Sequence, residues 1–351
     1  MSVFLNEILK LTQSRMHKAV LLDLLRQSPV LPMIPVDNVD ALQMTATRWQ
    51  TLPTSSTRKI GGAYTEGTGT VEQVADTLFA YGGDIKVDRL LTKVKAIENP
   101  LELQMKMKVA SVAALFNDHW INGDHSLGGA YIDGFEGLKK RVSNQPARMT
   151  IDLATGGDSL KVLATSASEH TFVDAVHEAL HKVGAVPTAG PTGTNVALFM
   201  NEATLLGIPK VLRRLATVLS TYSDAFDRTW TTWGPAKLVD MGLKSDQSTE
   251  IITATEDPGD AGNDATSLYA VRFGGIAHRD ASGKLSVMDD DGVRLLQLAG
   301  TSVEPYDPLS GGEGGAGAAP ELLRRIDVAW GLTQKGRYSI CRLKGFKMAA
   351  A

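Results

Sequence analysis

The sequence has almost no cysteine and no long hydrophobic run, and both absences limit what the protein can be. Cys341 is the single cysteine among 351 residues, so no disulfide can form within the chain. This usage fits a reducing compartment. No stretch of about 18 apolar residues occurs, so no membrane-spanning helix is predicted. The first residues also lack the basic segment, apolar core and small-residue cleavage site of a secretory signal peptide.

An excess of positive charge is also absent. The 36 Lys and Arg residues are outnumbered by 39 Asp and Glu, which gives a formal net charge of −3. This balance disfavours a protein whose main task is to grip nucleic acid. With 43% hydrophobic and 21% charged residues, the composition is that of a folded chain, which at this length can bury a large core.

A short stretch in the middle of the chain matches the HExxH motif of zinc peptidases. His177 and His181 lie one helical turn apart and could share a zinc ion, while Glu178 could act as general base on a zinc-bound water. Glu202, preceded by Asn201, stands about where thermolysin-like peptidases have their third zinc ligand. A zinc metallopeptidase using residues 177–181 is therefore an alternative from a different functional class.

The helical wheel of this segment argues against zinc chemistry. Its apolar stripe is formed by Phe172, Val176, Leu180 and Val183. His177 and His181 point away from that stripe, as on an ordinary surface helix, and Lys182 stands where the peptidases take an uncharged residue. Glu202 has the usual place of an acid in the first turn of a helix. We therefore predict no catalytic residue, no cofactor-binding residue, no metal ligand and no cofactor.

A second group of metal-ligating residue types surrounds "WINGD". His119 and His125 flank this stretch, together with Asp118 and Asp124. A helix end followed by its exit turn explains the same residues, so no metal site is predicted there.

Residues 1 to 90 combine an apolar helix with an extended arm. The segment "FLNEILKLTQSRMHKAVLLDLLRQSPVL" is predicted to be a helix that Ser28-Pro29 ends. Strands are predicted in "ALQMTATRWQTL" and "LFAYGGDIKVDRLL", with the polar tip "PTSSTRKIGGAYTEGTGT" between them. Such an arm has too little apolar surface to be stable alone, so we expect it to lie on its own domain or on a neighbouring subunit.

The rest of the chain is predicted to be a mixture of helices and strands. A long helix is expected in "NPLELQMKMKVASVAALFNDHWING", with Asn99 as N-cap, and a short one in "GFEGLKKRV". The HExxH helix is followed by the strand "VALFM" and by the helix "NEATLLGIPKVLRRLATV", which Pro209 is expected to restart. A strand in "SLYAVRFGG", a hairpin turning at 280–283, a flexible loop "SGGEGGAGAAP" and two closing strands in "RRIDVAWGLTQKGRYSICRL" complete the chain.

This order of elements resembles the major capsid proteins of tailed bacteriophages, which have the Hong Kong 97-type fold. The resemblance runs through nearly the whole chain. It is most specific at "FNDHWINGD" followed by "GFEGLKKRV", and at "ALFMNEATLLGIPK", where such proteins carry a strand, then Met-Asn, then a helix.

The resemblance implies an α+β fold with five parts. Residues 1–40 would form the N-terminal arm and residues 41–90 the extended E-loop hairpin with its strands. Residues 91–149 would form the P domain with its long spine helix, and residues 150–310 the A domain. Residues 311–351 would supply a flexible loop and strands that return to the P domain. On this assignment the HExxH helix belongs to the A domain, where no catalysis is expected.

The function implied is structural and not enzymatic. The chain would self-assemble into pentamers and hexamers of an icosahedral shell that encloses double-stranded DNA, which it contacts only weakly. A separate scaffolding protein, a portal and a cement protein are the expected partners, and no membrane is involved. The shell would belong to the virion and assemble in the host cytoplasm. An encapsulin-like compartment shell is the alternative with the same fold.

Lys59 lies in the arm, but no partner for a covalent cross-link can be identified.

Overall fold

The computed structural model describes residues 2–4, 15–88, 100–126, 131–154, 158–184, 196–215, 219–223, 229–234, 236–255, 265–274, 276–279, 285–288, 292–298, 304–306 and 321–349. Its α-helices are α1 (Arg15–Gln27), α2 (Pro100–Asn122), α3 (Leu138–Ser143), α4 (Ser166–Lys182) and α5 (Glu202–Arg214). The first strands are β1 (Ser2–Phe4), β2 (Pro35–Val39), β3 (Gln43–Thr51), β4 (Thr70–Thr77), β5 (Phe79–Asp88), β6 (Thr150–Asp152), β7 (Leu160–Lys161) and β8 (Val196–Met200). The remaining strands are β9 (Ser220–Ser223), β10 (Thr229–Trp233), β11 (Ala236–Asp240), β12 (Thr266–Arg272), β13 (Ile276–Arg279), β14 (Leu285–Met288), β15 (Val293–Leu298), β16 (Glu304–Tyr306), β17 (Glu321–Gln334) and β18 (Ile340–Lys347).

A six-stranded sheet is built around the long strand β17. Its order is β1-β2-β15-β17-β16, and β5 pairs antiparallel with β17 over ten residue pairs, from Glu321↔Asp88 to Trp330↔Phe79. Ile85 and Val87 are buried, whereas Lys86 and Asp88 are exposed, which confirms the predicted alternation along β5. This sheet therefore joins segments more than 200 residues apart in sequence.

An eight-stranded sheet forms the second layer, in the order β6-β18-β12-β8-β11-β10-β9, with β7 beside β18. All five residues of β8 are buried because both faces of the sheet are covered. Ala197 and Phe199 point into the core shared with α2, while Leu198 and Met200 point into the core under α4 and α5. A central strand buried on two faces explains the continuous apolar run "VALFM".

The long helix α2 connects the two sheets. Its 23 residues give a rod of about 34 Å. Phe116 packs edge-on against Trp330 of the six-stranded sheet, with ring centroids 5.1 Å apart. One turn further on, Trp120 contacts Phe199 of the eight-stranded sheet at 5.7 Å and stacks on Phe273 at 6.2 Å. The C-terminal half of α2 is therefore a buried bridge that fixes one sheet against the other.

Side-chain caps start the two helices that cover the eight-stranded sheet. The hydroxyl of Thr165 accepts a hydrogen bond from the Ser168 amide at 3.2 Å, and the Asn201 side chain accepts one from the Thr204 amide at 3.1 Å. Both caps satisfy backbone donors that a helix start leaves free. The predicted restart at Pro209 is wrong, because α5 runs without interruption from Glu202 to Arg214 with this proline inside it.

Two other expectations about the first 90 residues need correction. Phe4, expected at the start of the first helix, is the last residue of a strand at 2–4 that pairs with 35–37, and the helix spans Arg15–Gln27 in the described part of the chain. The arm returns through β4, which pairs with β3, whereas β5 lies in the six-stranded sheet. The two closing strands are confirmed, with β17 in the six-stranded sheet and β18 in the eight-stranded one.

Some sequence predictions fall outside the described residues. These are the N-cap at Asn99, the hairpin turn at 280–283 and the flexible loop at 310–320. The strands β13 and β14 on either side of that turn pair antiparallel, as predicted. Among the described residues, no helix combines the length and apolar character that crossing a bilayer requires.

Candidate assembly surface

The most exposed apolar side chains lie on the arm, which we define as the hairpin β3–β4 and its tip at residues 52–69. The hairpin pairs antiparallel from Gln43↔Thr77 to Thr51↔Thr70. Five large apolar side chains on the arm or just before it are 62% to 106% exposed, namely Leu42, Leu52, Ile60, Tyr64 and Val71. Apolar area left in water at this density marks a surface that another molecule covers.

Local contacts shape the end of the arm. The guanidinium of Arg58 lies 5.0 Å from the centre of the Tyr64 ring and donates a hydrogen bond to the Gly62 carbonyl at 3.2 Å. Gly61 has φ +86°, a left-handed conformation that favours glycine, and the Gly62 amide closes the turn on the Lys59 carbonyl at 2.9 Å. The turn presents Ile60 and Tyr64 at its outside.

The root of the arm is anchored by a buried ion pair. Arg141 of α3 donates to Asp76 of β4 at 2.7 Å, and the two side chains are only 7% and 5% exposed. The same guanidinium donates to the carbonyl oxygens of Leu332 at 2.7 Å and Glu136 at 2.9 Å. One arginine thus holds β4, β17 and the start of α3 together.

A second, more exposed cluster lies further along the arm. Glu72 accepts hydrogen bonds from Arg48 across the hairpin at 2.9 Å and from Arg337 in the turn after β17. The hydrogen bonds from these two guanidinium groups lower the pKa of Glu72 to about 2. The carboxylate therefore stays ionised at any physiological pH, and it links both arm strands to the body of the protein.

Helix α2 carries a further uncovered apolar surface. Leu103, Met107 and Leu115 are exposed, while Val109 and Val112 on the opposite side are buried. Spacings of four and eight residues keep these three exposed side chains near one helix face. In a single copy of the chain, both the arm and this helix face leave apolar area in contact with solvent.

The polar residues at the C-terminal end of α2 form a hydrogen-bonded network. The Tyr81 hydroxyl lies 2.7 Å from Nδ1 of His119, and burial raises the pKa of Tyr81 and lowers that of His119. Asp118 accepts hydrogen bonds from Asn122 at 2.8 Å and Tyr131 at 3.1 Å, and Lys244 lies 3.3 Å away. Through these contacts, Asp118 holds the segments that contain Tyr131 and Lys244 against α2.

The structure does not arrange the HExxH residues and Glu202 as a zinc peptidase would need them. His177 and His181 are exposed on α4, Glu178 forms an ion pair with Lys182 at 2.8 Å, and Glu202 is exposed at the start of α5. The predicted apolar stripe is buried throughout, at Phe172, Val176, Leu180 and Val183. Within the part of the chain that the structure describes, no three His, Cys, Asp or Glu side chains are grouped so that they could hold a metal ion.

The arm could be predicted from the sequence, whereas the ion pair that anchors it could not. Two of the exposed apolar residues, Ile60 and Tyr64, lie in the polar tip that its composition had indicated, so a signal was present. Asp76 and Arg141 are separated by 65 residues and belong to segments without any shared pattern. Their pairing depends on the tertiary fold alone.

No protein-family model and no curated protein matches this sequence. Solved structures do match over most of the chain. The SrpI encapsulin of Synechococcus elongatus PCC 7942, solved as a holo complex, has a TM-score of 0.57 at 12% identity, covering 92% of this chain and 89% of the encapsulin. The capsid of an empty GTA particle has a TM-score of 0.51 at 16% identity, covering 93% and 90%. A structure from Mycobacterium phage Bobi has a TM-score of 0.51 at 12% identity, covering 90% and 89%.

These neighbours share one architecture. They are Hong Kong 97-type capsid proteins of phages and of a GTA particle, together with an encapsulin. The chain therefore has the α+β Hong Kong 97-type fold, as the resemblance predicted. At identities of 12% to 16% the likeness establishes the fold.

Proposed function

We propose that this chain is a structural shell protein, the major capsid protein of a tailed phage, and that it is not an enzyme. Copies assemble into pentamers and hexamers of an icosahedral shell around double-stranded DNA. The observation that carries the proposal is the arm, whose apolar side chains Ile60 and Tyr64 are exposed on a protein with a shell-protein fold.

The physical reason lies in what the arm lacks in a single copy. A two-stranded hairpin gains little stability by itself, so the apolar side chains of its tip need a surface to cover them. A neighbouring copy supplies that surface, and its exposed α2 residues Leu103 and Met107 lose solvent contact in the same way. When one patch of each copy binds a different patch of the next copy, the copies form a closed ring if the rotation from one copy to the next divides a full turn evenly.

The parts of the chain then take the following roles. Residues 1–40 act as the N-terminal arm and residues 41–90 contain the E-loop, whose hairpin is β3–β4. The P domain extends over 91–149 with α2 as its spine, and the A domain over 150–310, which includes α4. The six-stranded sheet also takes β15 and β16 from that second range.

The proposed partners follow from this role. A scaffolding protein, a portal and a cement protein act with the shell, which assembles in the host cytoplasm and becomes part of the virion. The formal net charge of −3 supports weak contact with the packaged DNA, since tight adhesion needs many phosphate-neutralising Lys and Arg side chains.

An encapsulin-like compartment shell is the second candidate. The structural likeness to an encapsulin favours it. The contents of purified particles separate the two candidates. Nuclease-protected double-stranded DNA supports the phage capsid, whereas enclosed protein without DNA supports the compartment.

Size-exclusion chromatography with light scattering tests the proposal. The purified full-length chain is expected to elute as closed particles, or as capsomers that convert to them. A stable zinc-loaded monomer that cleaves peptides would instead support the peptidase alternative at residues 177–181.

A further inference from the structure

The exposed face of α4 carries an unusual concentration of metal-binding residue types. His170, Asp174, His177 and His181 are all exposed. Their spacings of four, three and four residues place them along one side of the helix. Three of the seven histidines of the chain therefore lie on a single helix face. The shell function proposed above uses none of these side chains.

Within this face, His177 and His181 have the spacing of a chelating pair. Side chains at i and i+4 project from neighbouring positions one turn apart, so both imidazoles can reach the same ion. The His177 ring stands edge-on to the buried Trp233, with centroids 5.7 Å apart and planes 89° apart. This contact restricts the orientation of one ligand before any ion binds, which lowers the entropy cost of binding.

The electrostatic surroundings favour a cation at this pair. Lys182 is the nearest cation in sequence, and its ammonium group is paired with Glu178 at 2.8 Å. The carboxylate of Asp174 lies one turn before His177. His181 belongs to the last turn of α4, where the partial negative charge of the helix end attracts positive charge.

We propose that His177 and His181 form a two-histidine chelate for a divalent transition-metal ion that prefers imidazole ligands. Water fills the remaining coordination positions, because the described part of the chain brings no third protein ligand to this group. Without a third ligand and a cleft, the ion is bound without peptidase chemistry. By the usual order of divalent affinities, Cu²⁺ binds more tightly than Ni²⁺ or Zn²⁺.

The test is a Cu²⁺ titration of the full-length protein prepared without a polyhistidine tag. Calorimetry reports the stoichiometry, and tryptophan fluorescence reports the location, because a bound Cu²⁺ ion quenches an adjacent indole. Cys341 does not compete for copper, since it is fully buried and burial raises the pKa of its thiol to about 12. We expect saturable binding of one ion per chain with partial quenching.

Four variants locate the site. His177→Ala and His181→Ala should each weaken binding by at least the roughly 10–100-fold that loss of a supporting residue costs in metal sites. The matched control is His170→Ala. His170 lies on the same face but has no histidine four residues away, so this variant should bind copper as before. Trp233→Phe removes the indole next to His177. Calorimetry should therefore still detect copper binding, whereas the fluorescence quenching should be lost. Circular dichroism checks that α4 remains helical, as expected for exposed positions.

Two results would overturn the chelate. One is undiminished binding in both His177→Ala and His181→Ala, and the other is an equal loss in His170→Ala, which would mean adventitious binding to any surface histidine. Quenching that persists in Trp233→Phe would likewise place the ion away from His177.

Discussion

At the scale of single residues, a buried ion pair joins the root of the arm to the body of the protein. Asp76 and Arg141 are both buried, and two further Arg141 donors are taken by backbone carbonyl oxygens. A buried pair of this kind is costly to break, because removal of one partner leaves the other as an uncompensated charge. The position of the arm root therefore depends on this ion pair as well as on the strand pairing beside it.

The first prediction concerns this ion pair. Asp76→Ala is expected to lower the free energy of unfolding by about 3–5 kcal/mol, since it strands the Arg141 guanidinium in the interior. Denaturant unfolding measures the change. Lys182→Ala breaks the exposed pair with Glu178 on α4 and serves as control, with an expected loss of at most about 1 kcal/mol. Equal losses in the two variants would contradict the anchoring role of Asp76.

The second prediction concerns pH and the buried His119. Burial holds its pKa below the usual 6.5, and Asp118 opposes this effect only in part. As pH falls through 6.5, the unfolded chain takes up a proton before the folded one does. The free energy of unfolding therefore decreases towards acid pH until the folded pKa is passed. Protonation also places a hydrogen on both ring nitrogens, so that Nδ1 can then only donate to the Tyr81 oxygen 2.7 Å away.

His119→Asn isolates that contribution. The amide oxygen keeps an acceptor for Tyr81 but does not titrate, so stability should fall less between pH 7.5 and 5.5 than in the unchanged protein. An unchanged pH dependence in His119→Asn would show that the ring is already protonated or accessible in the folded state.

At the scale of elements, the arm and the body have separable tasks. The tip at residues 52–69 is almost entirely exposed, and the contacts that fold the chain lie at the arm root and in the two sheets. Deletion of residues 55–70 should therefore leave the subunit folded and impair assembly. Circular dichroism measures the first effect and particle yield the second.

The deletion removes apolar side chains and also shortens the arm. A variant of unchanged length shows which of the two changes impairs assembly. Ile60→Ser combined with Tyr64→Ser removes the two outermost apolar side chains while keeping the tip intact. It should reduce particle yield in the same direction as the deletion. Normal shells from the deletion would refute the intersubunit role of the arm.

Helices and strands whose caps and apolar patterns lie within their own residues were predicted well from the sequence. Helix α2 follows its proline start and apolar pattern, α5 begins at its Asn201 cap, and β8 is the short apolar run of a strand covered on both faces. The exposed stripe of His177 and His181 also followed from the helical wheel. In each case neighbouring residues carry the information.

Elements that depend on distant partners were not predicted. The three-residue β1 is a strand because β2 supplies its hydrogen bonds, and no local pattern announces that pairing. β4 and β5 are adjacent in sequence, but β4 pairs within the arm and β5 with β17. Pro209 stays inside α5, where the buried neighbours Ile208 and Val211 hold the helix on the sheet despite the lost hydrogen bond.

At the scale of the whole molecule, one continuous apolar core runs from the six-stranded sheet along α2 to the eight-stranded sheet. The body is therefore a stiff unit, with Trp120 and Trp330 fully buried along the bridge. The arm extends from this unit and presents apolar side chains to solvent. A rigid body with one uncovered arm suits repeated head-to-tail contact between identical copies.

Electron microscopy of the purified full-length protein tests the central claim most directly. We expect closed icosahedral particles in which pentamers and hexamers are resolved and the arm of each copy lies on an adjacent copy, with Ile60 and Tyr64 covered. A uniform population of monomers, or open filaments in which the arm remains in solvent, would contradict the shell function.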